Sequence, residues 1–405
     1  MTALTDATTT PPGTATGHTA KHITLATLAL AMGGFAIGTT EFVTMGLLPN
    51  MAQTVHVSIP TAGHVISSYA AGVVVGAPLI AVFGAKLPRR GLLLALMVMF
   101  AVGNALSAVA SSYGMLVGAR FFAGLPHGAF FGVASLVAAS MVDPAKRGRA
   151  VSMVMLGLPI ANIAGVPAAT WMGQNYGWRS AYWAVAAMGA LTVLLVTLFV
   201  PSCPGDPEAT GRRELVEFTR RPQVWLTLLI GSVGFGGMFA MYSYIAPTVT
   251  DVTNLSAGAV PLFLLAFGIG GTAGTFVAGR MADWSVFRSM VLGSIGMGLS
   301  LALFTVTAYH EALALLTVFL VALLGSVLVV NLQMRLMAVA GPAQTLGAAM
   351  NHASLNLANA LGAWLGGLVI AAGWGYTAPS WVGAGLSLAG LAILVLSGLL
   401  HRRGV

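Results

Sequence analysis

The hydrophobic positions of this chain form long, almost uninterrupted segments, separated by short polar connections. Because a helix of about 20 apolar residues can cross a bilayer, this pattern predicts an all-α membrane protein with twelve transmembrane helices. The predicted limits of the helices are 23–48, 61–83, 91–110, 113–141, 149–173, 179–200, 223–247, 258–281, 288–308, 311–335, 345–371 and 379–400.

One connection, 201–222, is longer than the others and rich in proline, glycine and charged residues. It predicts a cytoplasmic linker between two six-helix bundles, which cover 23–200 and 223–400. Residues 1–22 are rich in Thr, Pro, Gly and Ala. Such a segment cannot build a core, so a disordered cytoplasmic tail is expected there. A second short cytoplasmic tail is expected over 401–405.

The two predicted bundles repeat one pattern of helix-breaking and small residues. Gly33, Gly38 and Pro49 have counterparts in Gly231, Gly236 and Pro247, each 198 residues later. Two parallel repeats around a central cavity are typical of secondary transporters. The pattern therefore predicts two six-helix pseudo-repeats and favours a transport function.

Composition excludes several other classes of protein. The chain is 57% hydrophobic and 7% charged, whereas soluble domains carry about 25% charged residues. Its formal charge of +8 is not arranged as the basic stripe with interleaved aromatic residues that nucleic-acid binders use. The single cysteine excludes an internal disulfide and a cysteine-only metal site. No cofactor, metal or nucleic-acid partner is expected.

The basic residues indicate the orientation in the membrane. All Lys and Arg residues except Arg120 and Arg179 fall in the tails or in connections on one side of the predicted helices. Cytoplasmic connections carry the excess of Lys and Arg. Both termini are therefore expected in the cytoplasm.

Glu41 is the only acidic residue inside a long apolar segment. Placing a charge at the centre of a membrane helix costs about 2.5–3.5 kcal/mol on insertion scales, so this carboxyl is expected to have a use. The obvious use is to take up and release a proton. The alternative is that Glu41 hydrogen-bonds a neighbouring helix and only orders the packing.

Two further polar residues lie in the fourth predicted helix. Because helices rise about 1.5 Å per residue, Glu41 and Arg120 each lie roughly 10 Å below the outer surface and could form a pair. His127 follows two turns later, nearly on the same face. We expect these three residues to couple protons. The alternatives are an arginine bonded to backbone carbonyls and a packed histidine.

In the second bundle, Phe239 occupies the repeat position of Glu41. Proton handling is therefore assigned to the first bundle, whereas the second is expected to supply neutral contacts to a substrate. The candidate substrate-binding residues are Phe239, Tyr242, Asn331, His352 and Asn356. Apolar walls with a few polar groups suit a small amphipathic ligand. However, amides also join membrane helices, and tyrosines also form interfacial belts.

Segments 38–49, 59–64, 76–78 and 120–132 carry a resemblance to a known family. With them, the chain after about residue 22 resembles the major facilitator superfamily and its proton-driven drug exporters. It is most similar to the arabinose-efflux-permease type, with chloramphenicol-resistance exporters as relatives. This resemblance implies a location in a bacterial cytoplasmic membrane. The resemblance also implies conformational motifs, whose matching positions here are Gly84, Arg89, Gly91, Gly279, Asp283, Gly157, Pro159, Gly165 and Pro167. Pro88 replaces the acidic residue of the first motif.

The resemblance and the residue pattern together predict proton-coupled efflux of small drug-like or sugar-like molecules by alternating access. The expected partners of the protein are its substrate, protons and the lipid bilayer, and the protein is expected to be a monomer. The alternatives are a proton-sugar symporter that imports and a non-transporting membrane sensor. An enzyme is not expected, because the sequence has no P-loop, His-Glu-x-x-His or Gly-x-Ser-x-Gly motif.

The predicted topology can be tested with Cys203, because the chain has no other thiol. A membrane-impermeant thiol reagent should leave Cys203 unlabelled in intact cells and label it once the membrane is disrupted. Labelling of intact cells would refute the predicted orientation.

Overall fold

The computed structural model of the protein describes residues 20–84, 86–205, 216, 218–341 and 344–402. Eleven helices in this part of the chain are long and apolar enough to cross a membrane. They are α1 (Ala20–Thr54), α2 (Ile59–Phe83), α3 (Arg89–Val109), α4 (Tyr113–Ser140), α5 (Pro144–Tyr176), α6 (Trp178–Phe199), α7 (Pro222–Asp251), α8 (Val260–Thr307), α9 (Glu311–Ala340), α10 (Gln344–Ala371) and α11 (Ala378–Arg402).

Helix α8 accounts for the difference between eleven helices and the twelve predicted spans. Its 48 residues would extend about 70 Å, more than twice the bilayer core of about 30 Å. Ser285 interrupts it with an extended backbone, φ −173° and ψ 114°, so α8 consists of two spans joined by a bend. The twelve-helix prediction is thereby confirmed. The connection predicted between these two spans is nevertheless helical on both sides of Ser285, because residues 280–292 contain no glycine or proline to end a helix.

Three other helices change direction or geometry within the membrane. Helix α4 is interrupted between Gly124 and His127, where Pro126 lacks the N–H that a continuous helix requires. Helices α5 and α7 each contain one π-helical turn, at Ala161–Gly165 and Ile230–Gly234. Such turns often occur at functional sites.

Small residues allow the helices to approach each other closely. Where α2 crosses α4, a Cβ atom at Gly72 would collide with the carbonyl oxygen of Phe121, and one at Gly124 would collide with that of Tyr69. Membrane helices associate through such close packing, because lipid tails are as apolar as the side chains. Backbone-to-backbone contact therefore fixes the position of α4 against α2.

The first six helices meet the later helices mainly along three lines. Helix α1 packs against α7, α2 and α4 pack against α10, and α5 packs against α8. At the second line, the Ser67 hydroxyl donates to the Ala360 carbonyl oxygen at 3.1 Å. At the third, the Gln174 side-chain amide donates to the Ala257 carbonyl oxygen at 2.8 Å. These lines surround the centre of the molecule, where Glu41 lies.

The predicted tails and linker lie partly outside the described residues, namely at 1–19, 206–215, 217 and 403–405. Within the described part, residues 20–22 already belong to α1 and not to the tail, and residues 401–402 still belong to α11. Residues 201–205 are not helical. There the Arg89 backbone N–H donates to the Cys203 carbonyl oxygen at 3.0 Å.

The α2–α4 crossing gives a prediction with a matched control. Gly124→Ala should destabilise the protein, because the new Cβ atom meets the backbone of α2 and overpacking costs about 1–3 kcal/mol. Gly118→Ala, in the same helix, has open space around its Cβ position and should leave the protein equally or more stable, since alanine favours helix. Thermal unfolding of the purified variants measures both effects. Equal melting temperatures would contradict the assigned crossing.

Candidate functional site

Glu41 lies in the middle of α1, at the junction between the first six helices and the later ones. Its side chain is buried, with 6% exposure. Arg120 of α4 and Asn359 of α10 are the groups that interact with its carboxyl electrostatically. No ion pair within 4.0 Å joins Glu41 to a cation among the described residues. Glu41 and Arg120 are thus neighbours, but the direct pair that their common depth suggested is not formed.

Arg120 is fully buried and bonded to α1. Its two terminal nitrogens donate to Thr40, one to the hydroxyl at 2.9 Å and one to the backbone carbonyl at 3.2 Å. The guanidinium also lies over the Tyr69 ring, 4.2 Å from its centroid, and 5.3 Å from that of Tyr182. Ring faces attract a cation electrostatically. The guanidinium therefore remains next to Glu41 in a fixed position.

Short polar side chains extend this network to two further helices. The Thr40 hydroxyl donates to the Asn104 side-chain oxygen of α3 at 2.5 Å. One turn further, the Thr44 hydroxyl bonds the Tyr182 hydroxyl of α6 at 2.7 Å. Sequence reasoning missed these residues. Asn104 could have been found, because it is the only amide side chain in helix α3 and lies within an apolar stretch.

Tyr69 links Arg120 to a pair of histidines. Its hydroxyl bonds Nδ1 of His127 at 3.1 Å, and the ring centroids of His127 and His352 are 6.3 Å apart. His352 also stacks on Phe131, at 5.3 Å with 5° between the ring planes. A series of neighbouring polar side chains therefore leads from Arg120 through Tyr69 to the predicted residues His127 and His352. Tyr69, its central member, was not predicted.

Helix α10 presents side-chain amide oxygens without partners to this region. His352, Asn356 and Asn359 follow each other at spacings of four and three residues, so they share one helix face. Asn356 donates from its amide to the His352 carbonyl oxygen at 3.1 Å. Within the described part of the chain, the side-chain oxygens of Asn356 and Asn359 are buried without a hydrogen-bond partner. Because buried polar groups are normally paired, these oxygens are ready to accept from a ligand or water.

Asn331 of α9 has a different environment. Its amide nitrogen donates to the carbonyl oxygens of Val327 at 2.9 Å and of Ala278 at 3.5 Å. It thus joins α9 to α8, as the alternative interpretation held. Its side-chain oxygen has no partner among the described residues and remains available.

The predicted aromatic residues form a wall beside Glu41. Phe42 stacks on Phe239 at 6.4 Å and contacts Tyr242 edge-on at 6.0 Å. Tyr242 stacks on Phe267 at 3.8 Å. Since Tyr242 is 1% exposed, it does not belong to an interfacial belt.

The motif positions in α5 have an observable packing role. A Cβ atom at Gly157 would collide with the Ala31 carbonyl oxygen, and one at Gly165 would collide with the Thr39 hydroxyl. Pro159 and Pro167 lie on either side of the π-helical turn Ala161–Gly165. These residues keep α5 in close contact with α1.

The positions of the other two motifs lie at helix ends and bends. Gly84 ends α2 and is buried, whereas a Cβ atom at Gly91 or Gly279 would meet open space. Arg89 begins α3. Asp283 is exposed, two residues before the Ser285 bend.

The sequence matches the family model of the Major Facilitator Superfamily over residues 30–351. It is 41% identical to the inner membrane transport protein YdhP of Escherichia coli K12, over 91% of this chain and 94% of that protein. It is 34% identical to the putative transporter AraJ of the same strain, over 93% and 95%. Identity to the chloramphenicol resistance protein of Streptomyces lividans is 32%, over 90% and 94%.

Solved structures share the fold. A bacterial homolog of the human lysosomal transporter Spinster, in an inward-facing and unoccupied conformation, matches with a TM-score of 0.70 at 16% identity, covering 94% of this chain and 96% of that one. A mutant of the nucleoside transporter NupG matches with a TM-score of 0.72 at 14% identity, covering 93% and 99%. The chain belongs to the major facilitator superfamily and is a multi-pass membrane transporter.

The Arg120 network predicts different effects for two adjacent threonines. Thr40→Val should destabilise the protein, because it leaves a guanidinium N–H and the Asn104 oxygen buried without partners, at about 1–3 kcal/mol for each group. Thr39→Val should have a much smaller effect, because Thr39 donates only to the Phe35 carbonyl oxygen of its own helix. Thermal unfolding of both variants provides the comparison, and equal losses would show that Arg120 does not depend on Thr40.

Proposed function

We propose that this member of the major facilitator superfamily is a proton-coupled antiporter, which exports small drug-like or sugar-like molecules across the bacterial cytoplasmic membrane. The observation that carries the proposal is the buried Glu41 carboxyl, next to Arg120 of the first six helices and Asn359 of the later ones. A carboxyl that interacts with both sets of helices can link its protonation to their relative position.

The electrostatics of the site suit reversible protonation. Burial disfavours a charged carboxylate, whereas a guanidinium nearby favours it. Arg120 lies close enough to act on Glu41 but keeps its own hydrogen bonds to Thr40. Glu41 is therefore not locked in an ion pair, and it can gain and lose a proton without disrupting the network around Arg120.

The proposed site offers an aromatic wall and unpaired amide oxygens near this carboxyl. Phe239 and Tyr242 provide the wall, and Asn356 and Asn359 provide the acceptors. Such a mixture suits a neutral or weakly polar amphipathic molecule. One of the relatives is named for resistance to chloramphenicol, which is a small molecule of this kind.

Transport would proceed by alternating access. In this proposal the bundles 23–200 and 223–400 move as two bodies connected by the linker 201–222, and a monomer suffices. The contacts α1–α7, α2–α10 and α5–α8 would open and close. Release of a proton from Glu41 would favour one of the two arrangements of the bundles, and substrate binding would favour the same arrangement. By linkage, proton and substrate weaken each other's binding equally.

Direction and substrate class are tested together by a susceptibility panel of drugs and sugars in a host that lacks its own exporters. Cells carrying the protein should accumulate less labelled substrate, and an uncoupler should raise accumulation to the level of cells without it. If an uncoupler instead lowers accumulation, the protein is a proton-linked importer.

Coupling predicts a specific phenotype for Glu41→Gln. The variant should retain substrate binding, because glutamine preserves the shape of the site. It should lose all uphill export and the pH dependence of binding, because the titrating carboxyl is gone. Substrate-driven proton release from purified protein is the direct measurement. Glu311→Gln is the matched control, since Glu311 is an exposed carboxyl at the start of α9.

Two outcomes would contradict the role of Glu41. If Glu41→Gln still releases protons when substrate binds, the coupling proton resides elsewhere, and His127 is the next candidate. If Glu311→Gln abolishes proton release equally, the effect does not arise from the buried site.

A further inference from the structure

A cavity whose lining does not include Glu41 lies at one end of the later helices. It has a volume of about 1150 Å³ and opens between the ends of α7, α9 and α11 and the bend of α8. Its basic lining residues are Arg220, Arg221, Arg288, Arg335 and His401. The lining residues that the structure describes include no Asp or Glu. The cavity therefore concentrates positive charge without a balancing carboxylate.

Arg335 forms the part of this cavity that is fixed in position. Its Nη2 donates to the Gln223 side-chain oxygen at 3.1 Å and to the Ser397 hydroxyl at 2.7 Å. Its guanidinium lies 5.8 Å from the centroid of the Phe287 ring. Among the described residues its buried Nε has no hydrogen-bond partner. Arg335 is thus held by three helices and retains an unused donor.

The other arginines surround the opening. Arg220 and Arg221 immediately precede α7, and Arg221 donates to the Val339 carbonyl oxygen at 3.4 Å. Arg288 follows the bend of α8 and lies 5.3 Å from the centroid of the Trp284 ring. All three side chains are exposed, so they can close on a ligand that enters the cavity.

One wall of the cavity is apolar and faces outward. Met334, Val395 and Leu399 line it and are 45%, 47% and 52% exposed. They belong to the membrane-crossing helices α9 and α11, so their exposed surfaces contact lipid when the protein is in a bilayer. A ligand that fits both surfaces has an anionic head and apolar chains.

We propose that this cavity binds the headgroup of an anionic phospholipid, with its phosphate on Arg335 and its acyl chains along α9 and α11. The guanidinium fork matches phosphate oxygens. Basic pockets between transmembrane helices are known to bind lipid headgroups on the cytoplasmic side. The bound lipid would join α7, α8, α9 and α11 where the linker ends, independently of any substrate.

The test measures lipid binding to the purified full chain in detergent. Short-chain phosphatidylglycerol should bind about tenfold more tightly than phosphatidylcholine with the same chains, as determined by native mass spectrometry and by the rise in melting temperature. The double variant Arg220→Gln/Arg288→Gln should lose this preference. Both side chains are exposed, and its melting temperature without lipid should match that of the unmodified protein. Arg335→Gln, which removes the fixed donor, should lose the preference as well.

The matched control is Arg147→Gln/Arg149→Gln. It removes two exposed arginines at the start of α5, in the first six helices, and should keep the preference for phosphatidylglycerol. Equal binding of the two lipids to the unmodified protein would overturn the proposal, and so would an equal loss in the control. Inorganic phosphate that competes at the same concentration as phosphatidylglycerol would show a site for a soluble anion and overturn the assignment to a lipid.

Discussion

The buried guanidinium of Arg120 is the constraint around which the first six helices are arranged. A charge within the membrane must find partners inside the protein, because lipid offers none. Thr40 supplies two acceptors, and the rings of Tyr69 and Tyr182 supply polarisable faces. These partners come from α1, α2 and α6, so the contacts of one side chain of α4 help to fix the positions of three other helices. The same requirement keeps positive charge next to Glu41.

Glu41 is the less constrained member of this pair of charges, which explains how the site can change state. Arg120 has hydrogen-bond partners within its own half of the chain, whereas Glu41 interacts with Arg120 on one side and with Asn359 on the other. The side-chain oxygen of Asn359 has no hydrogen-bond partner among the described residues. A proton gained or lost at Glu41 therefore alters its interaction with α10, while the arrangement around Arg120 is maintained. Arg120 is therefore the residue that is held in place, and its neighbour Glu41 is the residue that can change its protonation state.

Much of the fold could be predicted from the sequence, because the length of an apolar segment is tied to the thickness of the bilayer. The depth argument also placed Glu41 near Arg120. Tyr69, Thr40 and Thr44 escaped prediction, since a hydroxyl in an apolar helix commonly bonds its own backbone and reveals its partner only in three dimensions. The helical segment around Ser285 was mistaken for a loop because its charged residues suggested one. Its lack of glycine and proline was the overlooked signal.

The asymmetry between the two repeats is itself informative. Phe239 occupies the position that corresponds to Glu41, and it stacks on Phe42, the residue next to Glu41. The repeat relation thus places an apolar ring where a second carboxyl would face the first. Two buried carboxylates that faced each other at these positions would repel each other and tend to share one proton. With a ring in that place, the described residues around the junction include a single carboxyl, so one proton decides its charge. The later helices can then be specialised for neutral contacts, as their unpaired amides and stacked rings indicate.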